Sequence, residues 1–225
     1  PNMNTNTRIN PFRDNPLKKQ IYINTIKNAI FYVVAILIFN ACATAPKTAA
    51  NNMATEKPTL KDFKIGEKWT WKWKRSVEGE IRAEGEVSEE VVEFKDGLGF
   101  SSGANTIKIL DILDEKPSST PFNDWPLKVG KKWKYEESWE GNDGTKGKTS
   151  QDAVVISFGE VLVDAGKFMA YKIEYKGRLT NSRGFDGLIE DTWWYAPEIK
   201  KYIKHTNFDG QGLYVKELIS YTIAK

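Results

Sequence analysis

Two hydrophobic patterns divide this chain. Ala29 to Phe39 is an unbroken apolar run, whereas from Leu60 onward apolar and polar side chains alternate with a period of two. The alternation is clearest in Lys68-Trp69-Thr70-Trp71-Lys72-Trp73, which places three indoles on one face of a strand. A second stretch, Leu127-Lys128-Val129-Gly130-Lys131-Lys132-Trp133-Lys134-Tyr135, matches Phe63–Trp71 at an offset of 64 residues, with four of nine positions identical and three more apolar in both. Gly66 and Gly130 are placed to take a turn conformation that other residues avoid, and each following Trp starts a strand. The likeness reads as a duplicated β-meander or as convergent turn–strand chemistry.

The alternation predicts further strands. In Gly79–Val87, Ile81, Ala83, Gly85 and Val87 face inward and Glu80, Arg82, Glu84 and Glu86 outward; a phase slip at Ser88-Glu89-Glu90 predicts a bulge or reversal there. Asp96-Gly97, Ser102-Gly103, Asn142-Asp143-Gly144, Asp164-Ala165-Gly166 and Asp209-Gly210 are turn signals. Between them Thr106–Leu113, Lys131–Glu140, Ala153–Phe158, Glu160–Val163, Lys167–Lys176 and a final strand from Leu213 read as strands, and Leu188–Tyr195 pairs with Ile199–Thr206. Trp193 and Trp194 are neighbours in a strand and must point to opposite faces. No window after the linker carries a helical stripe of a dozen residues. The expected fold is all-β and mainly antiparallel, one curved sheet forming a barrel or half-barrel, after an N-terminal apolar helix. Residues 60–225 make the β domain, with possible halves 60–114 and 125–225 around the Pro/Ser-rich connector Glu115–Asp124.

The apolar run has eleven residues, too few for a bilayer, which takes roughly 20. Behind Lys18, Lys19 and Lys27 it fits the h-region of an export signal. It ends at Asn40-Ala41-Cys42, and Cys42 is the sole cysteine. This segment resembles the lipobox of bacterial lipoproteins, with Ala41 fitting position −1 while Phe39 stands where Leu is usual and Asn40 where a small or hydroxyl residue is common. The resemblance implies a signal peptide over 1–41 and acylation of Cys42 by palmitate-type chains; an ordinary cleaved signal or an uncleaved anchor is the alternative. Residues 42–59 are small and polar and read as a flexible tether, with a reach of about 20–25 Å. Ala43, where Asp would favour retention in the inner membrane, fits transfer to an outer membrane facing the periplasm.

Charge alters the picture of partners. The chain holds 33 basic and 30 acidic side chains, yet residues 1–41 contain five of the basic ones and one of the acidic ones, which leaves the remainder near −1. The basic pI of about 8.8 therefore belongs mostly to the leader, and the domain has no electrostatic footprint for nucleic acid. With Cys42 alone, neither a disulfide nor a cysteine-based metal site is available within the chain.

Three segments, Trp125–Trp133, Ala165–Ile173 and Trp193-Trp194-Tyr195-Ala196-Pro197-Glu198-Ile199, are similar to short motifs of uncharacterised bacterial exported β-domains. Those proteins often carry a glycine where this chain has Lys200. The resemblance implies a curved antiparallel sheet and an exported location, with no agreed activity.

Candidate chemistry is sparse. His205 is the only histidine and reads as an exposed polar residue near a strand end. No nucleophile elbow, phosphate loop or zinc-protease pattern is present, and the Asp-Gly turns lack the spaced carboxylates of a calcium loop. Glu78, Glu80, Glu84 and Glu86 could supply a glycosidase pair, but Arg82 sits among them as on a solvated face. A non-catalytic domain without metal or cofactor is expected. Aromatic side chains are the stronger lead: Trp71, Trp73, Trp133, Tyr135, Trp194 and Tyr195 are candidates to line a concavity for an apolar or amphipathic ligand, as in lipoprotein-carrier folds. The competing expectations are a structural or interaction lipoprotein docking another envelope protein, rings that simply fill the core, and a glycoside-type hydrolase.

Overall fold

Strand-rich sequence becomes one large sheet in the computed structural model, which describes residues 54–103, 105–113 and 118–223. The N-terminal apolar helix, the signal segment, Cys42 and the tether as far as Met53 lie outside the described residues. In chain order come β1 (Ala54–Thr55), a 3-10 turn (Leu60–Asp62), β2 (Lys68–Val77), β3 (Glu80–Phe94), β4 (Gly97–Ser102), β5 (Asn105–Lys108) and helix α1 (Ile109–Leu113). The second half holds β6 (Leu127–Lys128), β7 (Lys132–Glu140), β8 (Lys146–Val163), β9 (Gly166–Asn181), β10 (Asp186–Ala196), a 3-10 turn (Pro197–Ile199), β11 (Lys201–Phe208) and β12 (Leu213–Thr222). Ten strands form an antiparallel sheet in the order β5-β4-β3-β2-β12-β11-β10-β9-β8-β7, and β1 pairs separately with β6. β5 and β7 are left as edges, so the sheet does not close into a barrel.

The 64-residue repeat is present bond for bond. Gly66 N–H donates to Val91 C=O and Gly130 N–H to Val155 C=O, each at 2.8 Å. Val91 N–H returns to Glu67 C=O at 2.8 Å and Val155 N–H to Lys131 C=O at 3.0 Å. Both glycines take the left-handed conformation, with φ of 83° and 85°, which any other residue adopts at a cost. The shared sequence thus encodes one unit, a turn clamped to the second strand of the hairpin it starts.

The expected alternation needs three corrections. The phase does not slip at Ser88–Glu90, which pair regularly with Lys68–Thr70. Glu89 stays on the apolar face because Lys201 meets it there. The irregularity lies instead opposite Arg75/Ser76, and it turns Ile81 out to 56% exposure. Thr106–Leu113 is not one strand: β5 stops at Lys108 and α1 follows, burying Ile109 completely. Ala54–Thr55 is ordered on β6, so the domain begins inside the segment read as tether.

Lys200 supplies the turn that a glycine would otherwise make. Its φ and ψ of 57° and 24° are left-handed, and its ammonium is held by the carboxylate of buried Glu67 and by Asp62 C=O. Tyr221 Oη–H also donates to Glu67, at 2.7 Å. Glu67 is only 2% exposed, so these partners meet the requirement that a buried charge be paired.

Core residues fall into two clusters. One gathers Trp69, Trp71, Val91, Phe100, Ile109, Ile203 and Leu218 with the end of the β8–β9 hairpin. The other gathers Leu127, Ala153, Val155, Tyr171, Ile173, Tyr175 and Tyr195 around Phe122 and Trp125. The Phe122 ring lies 5.3 Å from Tyr135 on β7, 5.2 Å from Tyr175 on β9, 5.5 Å from Trp193 on β10 and 6.1 Å from Tyr202 on β11. In a flat sheet β7 and β11 would stand about 19 Å apart. One ring reaches all four strands because the sheet curls around it.

Candidate functional site

The six aromatic candidates do not assemble into one ligand site. Trp71 and Tyr195 are buried in different clusters. Trp133 and Tyr135 pack edge-on to Tyr175, and Trp133 Nε1–H donates to Pro121 C=O at 3.0 Å. Trp73 stacks on Tyr214 and covers Gly85, where an added Cβ would come 3.1 Å from the indole. Trp194 points to the opposite face, between Lys172 and Lys204. Trp193 and Trp194 therefore part as adjacent strand residues must. The concavity itself is occupied by Phe122 of the connector and by Trp125 and Leu127, which follow it.

His205 departs from the expectation of an exposed residue. Its side chain is 12% exposed and bonded through Nε2 to Asp191 at 2.8 Å. Asn207 Nδ2 and Gln151 Nε2 donate to the same carboxylate at 2.9 and 2.8 Å, and Trp193 stacks on the imidazole at 3.4 Å. These groups meet because Trp193 pairs with His205 and Asp191 with Asn207 across β10 and β11. The result is a polar knot beneath the aromatic face, in which three side chains satisfy the Asp191 carboxylate while the buried Trp193 Nε1–H finds no partner among the described residues. Nearby burial pushes the phenols of Tyr175 and Tyr202 well above the usual tyrosine range. Burial pulls the ammonium groups of Lys201 and Lys216 below theirs. Lys216 lies 4.5 Å over the Trp71 ring. Among the described residues no group of three or more His, Cys, Asp or Glu converges as a metal site, and no helix is long and apolar enough to cross a membrane.

The opposite face of the sheet carries the open surface. Register places Ile81 beside Ser76, Ser76 beside Leu213 and Leu213 beside Phe208 in one cross-strand row. Ile81, Leu213 and Phe208 are 56%, 43% and 46% exposed, and Leu188, one diagonal step from Phe208, is 60% exposed. Next to the row runs a groove of about 590 Å³ along β12, β2 and β3. Val215 and Ile81 form its apolar part, Lys72, Lys74, Glu84, Glu86 and Glu217 its charged rim, and Trp73 and Gly85 its floor. The face thus sets exposed apolar side chains beside charges of both signs. Its sequence signal is a pair of adjacent apolar residues in a strand: Leu188-Ile189 must put one side chain outward, and Ile189 is the buried one.

No protein-family model matches the chain, and no curated protein matches it. Among solved structures, a Bacteroides fragilis protein described as exported with a YmcC-like fold aligns at 13% identity and a TM-score of 0.38, over 76% of this chain and 100% of that one. A Parabacteroides distasonis protein described as a lipoprotein aligns at 12% identity and a TM-score of 0.46, with the same coverage of 76% and 100%. Likenesses of this size say nothing about activity, ligand or partner.

Proposed function

We propose that this chain is a lipid-anchored protein of the bacterial cell envelope whose β domain is a non-catalytic docking module for another envelope protein. The anchor reading is supported by the basic leader, the eleven-residue apolar run and the single cysteine at Cys42, and Ala43 is compatible with an outer-membrane location. The observation that carries the docking reading is the contrast between the two faces. The aromatic face is packed with the chain's own Phe122, Trp125 and Leu127, while Ile81, Leu213, Phe208 and Leu188 stand open on the other. A ligand carrier would need the space that the connector fills.

Site-specific photocrosslinking in cells tests the reading. A benzophenone side chain at Phe208 or Leu213 is expected to give one discrete heterologous adduct, absent when the probe sits at Lys134. An adduct of twice the chain's own mass would make a second copy the partner, and no adduct would refute docking. Native mass spectrometry is expected to find the protein unladen; a co-purifying lipid would restore the carrier reading. For the anchor, Cys42→Ala is expected to move the protein from the membrane to the soluble fraction.

A further inference from the structure

The β8–β9 hairpin continues past the rest of the second half. β9 last pairs with β10 at Tyr171–Tyr195, while β8 and β9 remain paired out to Val163–Gly166. On this extension Val161, Val163, Phe168 and Ala170 pack into the core. The other face presents Glu160 paired with Met169 and Leu162 paired with Lys167. Leu162 is 69% exposed, more than any other large hydrophobic among the described residues, and Met169 is 43% exposed. Leu162-Val163 and Phe168-Met169 are again adjacent apolar pairs, each with one member outward.

The hairpin leaves the sheet where the N-terminal segment joins it. Thr55 Oγ1–H donates to the Tyr171 hydroxyl at 3.2 Å, and the Tyr171 ring packs tilted against Phe158, centroids 4.4 Å apart, at the root of the extension. Met169 then lies about 7 Å, and the Leu162–Lys167 pair about 14 Å, further along the strand. Cys42 precedes Ala54 by twelve residues, a span of at most about 43 Å even if fully extended. The open row at Leu188 sits seven residues up β10 from Tyr195, about 24 Å from the Tyr171 level.

We infer that the Leu162/Met169 face of this hairpin rests on the lipid surface to which Cys42 is anchored, so that the Ile81–Phe208 row points away from the membrane. The inference rests on the lipid-anchor reading. The acyl chains provide residence, and the hairpin provides orientation: Leu162 and Met169 enter the headgroup region while Lys167, ion-paired with Glu160, stays at the interface.

The test uses the full-length acylated protein in vesicles of phosphatidylethanolamine and phosphatidylglycerol. Acylation consumes the native thiol, so Leu162→Cys, Met169→Cys and Ile81→Cys each carry one site for an environment-sensitive fluorophore. Lipids spin-labelled near the headgroup are expected to quench the first two labels about twofold and to leave the third unchanged. Equal quenching at all three sites, or at none, in vesicle-bound protein would overturn the orientation and leave the anchor standing. Protein that stays in solution, with Cys42 itself taking the label, would overturn both.

Discussion

Replacing Phe122 by alanine tests the packing argument most directly. The ring touches aromatic side chains on β7, β9, β10 and β11 at 5.2–6.1 Å. Full removal of a buried phenylalanine costs about 3–5 kcal/mol; Phe122 is only partly buried, which places the expectation near the lower limit. The hole cannot close by drawing the connector inward, because Tyr175 Oη–H holds Phe122 C=O and Tyr202 Oη–H holds Asn123 Oδ1, each at 2.6 Å. A loss of about 3 kcal/mol corresponds to a fall in Tm of roughly 6–12 °C for a domain of this size. Urea titration followed by tryptophan emission reads it, with a lower midpoint and an unchanged slope. The variant, unlike the parent, is also expected to take up a small apolar dye. A loss below about 1 kcal/mol, or dye uptake by the parent, would show that the concavity is not filled by this ring.

Four further outcomes follow from individual contacts. Lys200→Gly relieves a left-handed backbone but leaves buried Glu67 without its cation, though still bonded to the Tyr221 hydroxyl, so a net loss of about 2–3 kcal/mol is expected; a more stable variant in thermal melts would contradict the pairing. Asp191→Ala leaves the donors of His205, Asn207 and Gln151 facing a hole, with an expected loss of about 2–4 kcal/mol by urea titration. Gly177→Ala would set a Cβ 1.9 Å from Ser150 O, and little soluble protein is expected on expression, whereas Gly159→Ala, whose Cβ meets nothing within 4 Å, serves as control. Alkali should unfold the domain. Tyr175, Tyr195 and Tyr202 have phenols raised by burial, so above pH of about 10 the unfolded chain ionises them while the folded chain does not. The unfolded state then binds fewer protons and stability falls, by about 1.4 kcal/mol per pH unit for each phenol. Pairing this titration with Tyr175→Phe should reduce the slope by one such increment.

The local rules written in the chain reached a long way. Alternation located most of the strands, and the Gly-x-Lys-Trp stretches marked a turn that occurs twice with the same hydrogen bonds. Trp193-Trp194 required one indole on each face, and the sheet obeys. Such signals are legible because strand periodicity and turn stereochemistry depend on a few neighbouring residues.

What only the tertiary structure decided is which side chains share a space. Nothing near Phe122 in sequence announces that it will meet four strands, because that contact depends on how far a ten-stranded sheet curls. His205 looked exposed because its partner Asp191, and Gln151 on the same carboxylate, lie 14 and 54 positions away, joined by register alone. Ile81 changed face through a single irregularity opposite Ser76, and with it the open row came into being. Periodicity gives each residue a side of its own strand. Long-range pairing decides whether that side faces ring, charge or water, and pairing energies are summed over the whole sheet rather than over any segment of it.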